Sequence, residues 1–124
     1  TMDPGAHSLR LIAEAAIRHG WSSAGLGRIL VGHCCSLSAQ PEAEVEQTLD
    51  RVAEAGLAVV SLPMCNIYLQ DRRAGLTPRR RGVTLLHEMK ARGIPVMVAS
   101  DNTRDPFYAY GDLDMLEVFR EATR

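Results

Sequence analysis

The 124-residue sequence predicts an α/β fold in which a parallel sheet is covered by helices. Three observations carry this. Short runs at 28–32, 57–62 and 94–99 are apolar on both faces, the pattern of strands buried on both sides. Helical patterns of roughly ten to sixteen residues separate them, and Gly20, Gly56 and Gly93 stop three of those patterns. Each apolar run also ends at side chains able to do chemistry: His33, then Met64-Cys65-Asn66, then Asp101-Asn102.

In order along the chain, Asp3-Pro4 reads as N-cap and first helical position of a helix over residues 4–19, with Leu9, Ile12, Ala13, Ala16 and Ile17 on one face. A strand is expected to precede that helix. The first strand, Arg28–Gly32, runs into the polar loop CCSLSAQ. Pro41 opens a second helix with Val45, Leu49, Val52 and Ala53 inward. The second strand, Leu57–Leu62, is closed by Pro63, and an arginine-rich loop is expected from Met64 to Gly82. A third helix, Val83–Arg92, turns Leu85, Leu86 and Met89 inward, and the third strand is Ile94–Ala99. A last helix, Asp112 to about Thr123, is expected to bury Leu113, Leu116 and Phe119. Three parallel strands manage two open edges poorly, so the sheet reads as an arc of something larger, such as a barrel.

Composition narrows the function classes. Hydrophobic residues make up 46% and charged residues 23%, ordinary values for a globular domain. Fourteen basic and fifteen acidic side chains give a net charge of -1, which favours neither nucleic acid nor an anionic membrane as partner. No run has the length of a membrane span, and no signal peptide is read at the start. Three cysteines, two of them adjacent at Cys34-Cys35, make a poor disulfide framework, so reduced thiols in a cytoplasmic protein are expected.

Parallel packing puts the strand ends on one rim. His33 and Asp101 there are the parts of a metal site or an acid/base pair. The alternatives are a loop histidine bonded to nearby backbone and a turn-forming carboxylate. Zinc on Cys34, Cys35 and Cys65 is disfavoured, because adjacent cysteines do not easily take two tetrahedral positions and no C-x-x-C spacing occurs. His87-Glu88 lacks a second histidine four residues on and reads as an exposed helix face. Arg72-Arg73 and Arg79-Arg80-Arg81 are expected to make local salt bridges, with a phosphate site as the alternative.

Three stretches, ILVGHCCSLS, CNIYLQDRR…TPRRRGVTLLHEMKARGIPV and VASDNTRDPFYAYGDLDMLEVF, together resemble the cytosine deaminases of the amidohydrolase superfamily. The resemblance implies that residues 1–124 are the C-terminal portion of a TIM (β/α)8 barrel domain, a partial barrel equivalent to strands 6–8. It implies one divalent metal ion, zinc or iron, and hydrolytic deamination of cytosine or a related cyclic amidine such as an aminotriazine. Asp101 matches the aspartate that binds the metal and accepts a proton from its water. His33 matches the histidine that steadies the attacking hydroxide and the tetrahedral intermediate. Asn102 and Phe107 fall at substrate-binding positions, where relatives can carry a second aspartate and a tryptophan. The family's H-x-D-E run would fall immediately before Thr1, and its H-x-H pair further upstream. The implied partners are a nucleobase-like small molecule and further copies of the same protein. A non-catalytic fragment or assembly unit is the rival expectation.

Overall fold

The computed structural model describes residues 3–123; Thr1, Met2 and Arg124, which the expected domain includes, lie outside the described residues. Within them the strands and helices alternate as the periodicity predicts. Helix α1 is Ser8–Arg18, strand β1 Leu30–Gly32, helix α2 Glu42–Glu54 and strand β2 Ala58–Ser61. Helix α3 is Pro63–Leu69, helix α4 Leu86–Ala91, strand β3 Val96–Val98 and helix α5 Met115–Ala122. The strands pair in parallel in the order β1-β2-β3. Register sets Val31 beside Val59 and Val59 beside Val96, so these three valines share the face that the helices cover. Val59 is fully buried there among Ala13, Leu49, Val52, Leu57 and Met89. Adjacent positions point to the opposite face, where Leu30 and Met97 are 53% and 44% exposed.

Several boundaries differ from expectation, each for a local reason. Asp3 does not cap α1: its carboxylate accepts the Gly5 N–H at 2.9 Å and closes a separate turn, and the helix starts only at Ser8. The CCSLSAQ loop holds a short 3-10 helix, Cys35–Ala39. The segment after Pro63 is not loop throughout. Pro63 sits in the first turn of α3, where its fixed φ and missing N–H fit a helix start as well as a strand end. Helix α4 begins three residues late, because the buried Thr84 hydroxyl donates to the Cys34 carbonyl at 3.0 Å and ties this stretch to the end of β1.

Helix α5 buries Val118 instead of Leu113, Leu116 and Phe119, all three of which are exposed. Once Val118 points at the protein, Leu116, two residues back, lies on the far side of the helix. The expected salt bridges of the arginine loop are also missing. Among the described residues none of Arg72, Arg73, Arg79, Arg80 and Arg81 forms an ion pair within 4.0 Å. The loop is closed by Asp71, whose carboxylate accepts the backbone N–H groups of Arg79 and Arg80 at 2.8 and 3.0 Å. Those two bonds hold its pKa below the usual carboxylate range. No helix among the described residues is long and apolar enough to cross a membrane.

Candidate active site on the strand rim

The site follows from how β1 and β3 end. His33 still belongs to the ladder, since its N–H donates to the Val60 carbonyl at 3.0 Å. The backbone then turns left-handed at His33 (φ 64°) and Cys34 (φ 52°). Past β3, Asp101 is left-handed too, at φ 65°. Non-glycine residues seldom adopt this conformation, and where they do, function is a common reason. Here the two turns bring two side chains together from opposite edges of the sheet. His33 Nε2 lies 3.9 Å from Asp101 Oδ2, too far for a hydrogen bond but within range of a charge interaction when the imidazole is protonated.

The second strand supplies the wall between them. Asn66, in α3 just after β2, is 3% exposed, and its Oδ1 lies 2.9 Å from His33 Nδ1. The Cys65 thiol donates to Asn102 Oδ1 at 3.2 Å and lies against the Asp101 carboxylate; burial first, and that carboxylate second, push its pKa up to about 11. Burial, with Cys35 beside it, pushes Cys34 up to about 12. All three cysteines are free thiols. His33, Cys65, Asn66, Asp101 and Asn102 line one open cavity of about 720 Å³, with the apolar Leu9 and Ile12 of α1 on its far side.

The structure thus brings together three of the four residues singled out in the sequence. Asn102 borders the cavity, but its amide is engaged: Nδ2 donates to Asp105 Oδ2 at 2.6 Å while Oδ1 takes the Cys65 thiol. Phe107 is 61% exposed and does not line the cavity. Asn66 received no role from the sequence, where it is only one of three polar or soft residues after β2. Its importance depends on a contact across 33 positions that only folding creates.

The donor set bears on the expected cation. Asp101 Oδ2 is buried with no hydrogen-bond partner among the described residues, so a hard oxygen is available for a metal ion. Among the described residues no group of three or more His, Cys, Asp or Glu gathers to hold one. Asp101 therefore fits as a single ligand of a set that this segment does not complete.

Comparisons with known proteins bear on the family and the fold. The family model described as "Amidohydrolase family" matches residues 3–124. A pterin deaminase of Rhizobium rhizogenes (strain K84 / ATCC BAA-868) is 61% identical over 117 residues, which are 94% of this chain and 26% of that protein. Among solved structures, the 5-methylcytosine deaminase of Klebsiella pneumoniae liganded with 5-fluorocytosine superposes with a TM-score of 0.79 at 30% identity, over 94% of this chain and 27% of that one. The N-isopropylammelide isopropylaminohydrolase of Burkholderia multivorans ATCC 17616 gives 0.64 at 26% identity, over 96% and 27%. This chain spans about a quarter of the length of each of these relatives.

Proposed function

The chain belongs to the amidohydrolase family, and from that premise we propose that it forms the His33–Asp101 side of a metal-dependent hydrolytic deaminase site for a cyclic amidine. The carrying observation is the buried, unpartnered Asp101 Oδ2 facing His33 Nε2 across 3.9 Å at the strand rim. A pterin ring is the leading substrate class, from 61% identity to a pterin deaminase. Cytosine is the second reading, favoured by the likeness to a structure holding 5-fluorocytosine.

Asp101 would hold in part a divalent ion, zinc or iron, which when bound would supply Lewis acidity and an activated water at neutral pH. Asp101 accepts a proton from the water as its oxygen adds to the amidine carbon. His33 Nε2 faces the same point and steadies the tetrahedral intermediate by accepting a hydrogen bond from the added O–H. Of the water's two protons, one passes to the ring nitrogen as the oxygen adds and the other to the exocyclic amine, which leaves as ammonia as its carbon–nitrogen bond breaks, and the carbon keeps the oxygen as a ring carbonyl. We assign Asn102, which lines the cavity, as a substrate contact. Phe107 reaches the site only through Asp105, which accepts its backbone N–H at 2.9 Å. Residues 1–124 are read as part of one barrel domain. The test uses the complete protein loaded with zinc or iron and measures ammonia released from pterin, cytosine, 5-methylcytosine and an aminotriazine. Release from pterin above the others is expected. No release from any of the four would end the reading and favour a non-catalytic unit.

A further inference from the structure

We propose that Asn66 is a positioning residue for His33: its side-chain oxygen holds Nδ1–H, so that Nε2 presents its lone pair to the cavity beside Asp101. The observation is a 2.9 Å contact between His33 Nδ1 and Asn66 Oδ1. Neutral imidazole carries one proton, and the nitrogen that donates to a fixed acceptor keeps it. An oxygen beside Nδ1 therefore selects the tautomer with an unprotonated Nε2.

Asn66 is suited to that task in ways its neighbours are not. It is 3% exposed, so water does not compete for its oxygen. Its backbone is held at both ends, its N–H donating to the Leu62 carbonyl at 3.1 Å and its own carbonyl accepting from Gln70 at 3.0 Å. It belongs to the short helix that Pro63 starts directly after β2, so the acceptor is fixed to the central strand of the sheet. His33 needs such a partner. Its left-handed backbone places the ring over the rim with nearly half of its side chain exposed, and its other nitrogen is too far from Asp101 for a hydrogen bond to set the ring angle.

The inference rests on the proposed reaction only for its catalytic consequence; the tautomer itself can be read without turnover. Two variants of the complete protein separate the cases. Asn66→Leu keeps the bulk and removes the acceptor, whereas Asn66→Asp keeps an acceptor oxygen. Nitrogen-15 NMR of the labelled His33 ring should show the Nδ1–H tautomer in the parent and in Asn66→Asp, and a mixture or the Nε2–H form in Asn66→Leu. With the best cyclic amidine substrate, kcat should fall about 10- to 100-fold in Asn66→Leu, the scale of losing an orienting partner of a site histidine. KM should change little, and Asn66→Asp should recover most of the loss. Unchanged His33 tautomer in a folded Asn66→Leu protein would overturn the proposal, whatever its activity. An equal kcat loss in Asn66→Asp, with Nδ1–H retained, would also overturn it. Absence of turnover in the parent would count against the deaminase reading alone and leave the NMR result to decide the role of Asn66.

Discussion

Asp101 and His33 share a cavity but should fail differently when replaced in the complete protein. Asp101→Ala removes an oxygen ligand and the acceptor of the water's proton, so metal content and turnover should fall together. His33→Ala leaves the ligand in place, so metal should stay while turnover drops by about 10²-fold or more, the scale of losing one positioned group at a charged intermediate. Asp101→Asn is the informative control, because asparagine tolerates a left-handed backbone as well as aspartate does and should preserve the turn. Metal analysis and ammonia release on the three variants decide the point, and full activity in Asp101→Asn would reduce Asp101 to a turn residue. At this scale the sequence was informative where a side chain follows a strand directly. His33, Asp101 and Asn102 could be placed on the rim because strand ends can be located from apolar runs. Asn66 could not be ranked, since helix α3 was hidden behind a proline that reads equally well as a strand stop. Phe107 stands exposed outside the cavity lining where Asp105 accepts its N–H and turns the loop, a matter of turn geometry that periodicity does not encode.

Among elements, the loop from Asn102 to Gly111 is the one whose integrity the site depends on most directly. Asp105 organises it, accepting from Asn102 Nδ2 at 2.6 Å and from the N–H groups of Phe107 and Tyr108 at 2.9 Å each. Those bonds, the Asn102 amide foremost, hold the Asp105 carboxyl below the usual range. A carboxyl lowered in this way stabilises the folded loop above its ordinary pKa of about 4, and the contribution disappears as pH falls through the folded value below that. Hydrogen-exchange protection of the Phe107 and Tyr108 amides should accordingly decline below about pH 4 before the amides of β2 respond. Protection that fell in both places together would show that Asp105 does not control the loop. Gly111 closes the same loop. A Cβ there would overlap the Asn102 carbonyl oxygen and lie 2.6 Å from the Tyr108 ring, so Gly111→Ala should cost about 1–3 kcal/mol and disturb Asn102. Thermal unfolding together with the Tyr108 ring signals would test it. The helices illustrate what apolar spacing can and cannot tell. Helix α2 buried its predicted Val45, Leu49 and Val52, because they share one core with Ala13 and Ala16 of α1, Val59 and Met89. In α5 the amphipathic stripe was real, but among its described residues Val118 is the one that is fully buried.

For the molecule as a whole, the bare sheet face with Leu30 and Met97 combines with exposed Leu113 before α5 and exposed Leu116 and Phe119 on it. Among the described residues β1 and β3 also each have an unpaired edge. Apolar surface and open edges together promote association. These 124 residues expressed as such should self-associate, and a sharp monomeric boundary in sedimentation at micromolar concentration, with cooperative unfolding, would contradict that. The parallel α/β class was legible because each strand is apolar throughout. The open face was less so, since residues buried on one side and bare on the other look alike in sequence.

The order of the strands also has a consequence in time. The contact between His33 and Asn66 needs only β1 against β2, whereas the approach of His33 to Asp101 needs β3 as well, an outer strand of the three, which α5 meets. Partial opening that detaches β3 and α5 would leave α1, α2 and the first two strands folded around Val59. Activity should therefore vanish at a lower urea concentration than the circular dichroism of the helices, and return last when urea is diluted away. Coincident midpoints for the two signals would mean that the third strand is bound as firmly as the core.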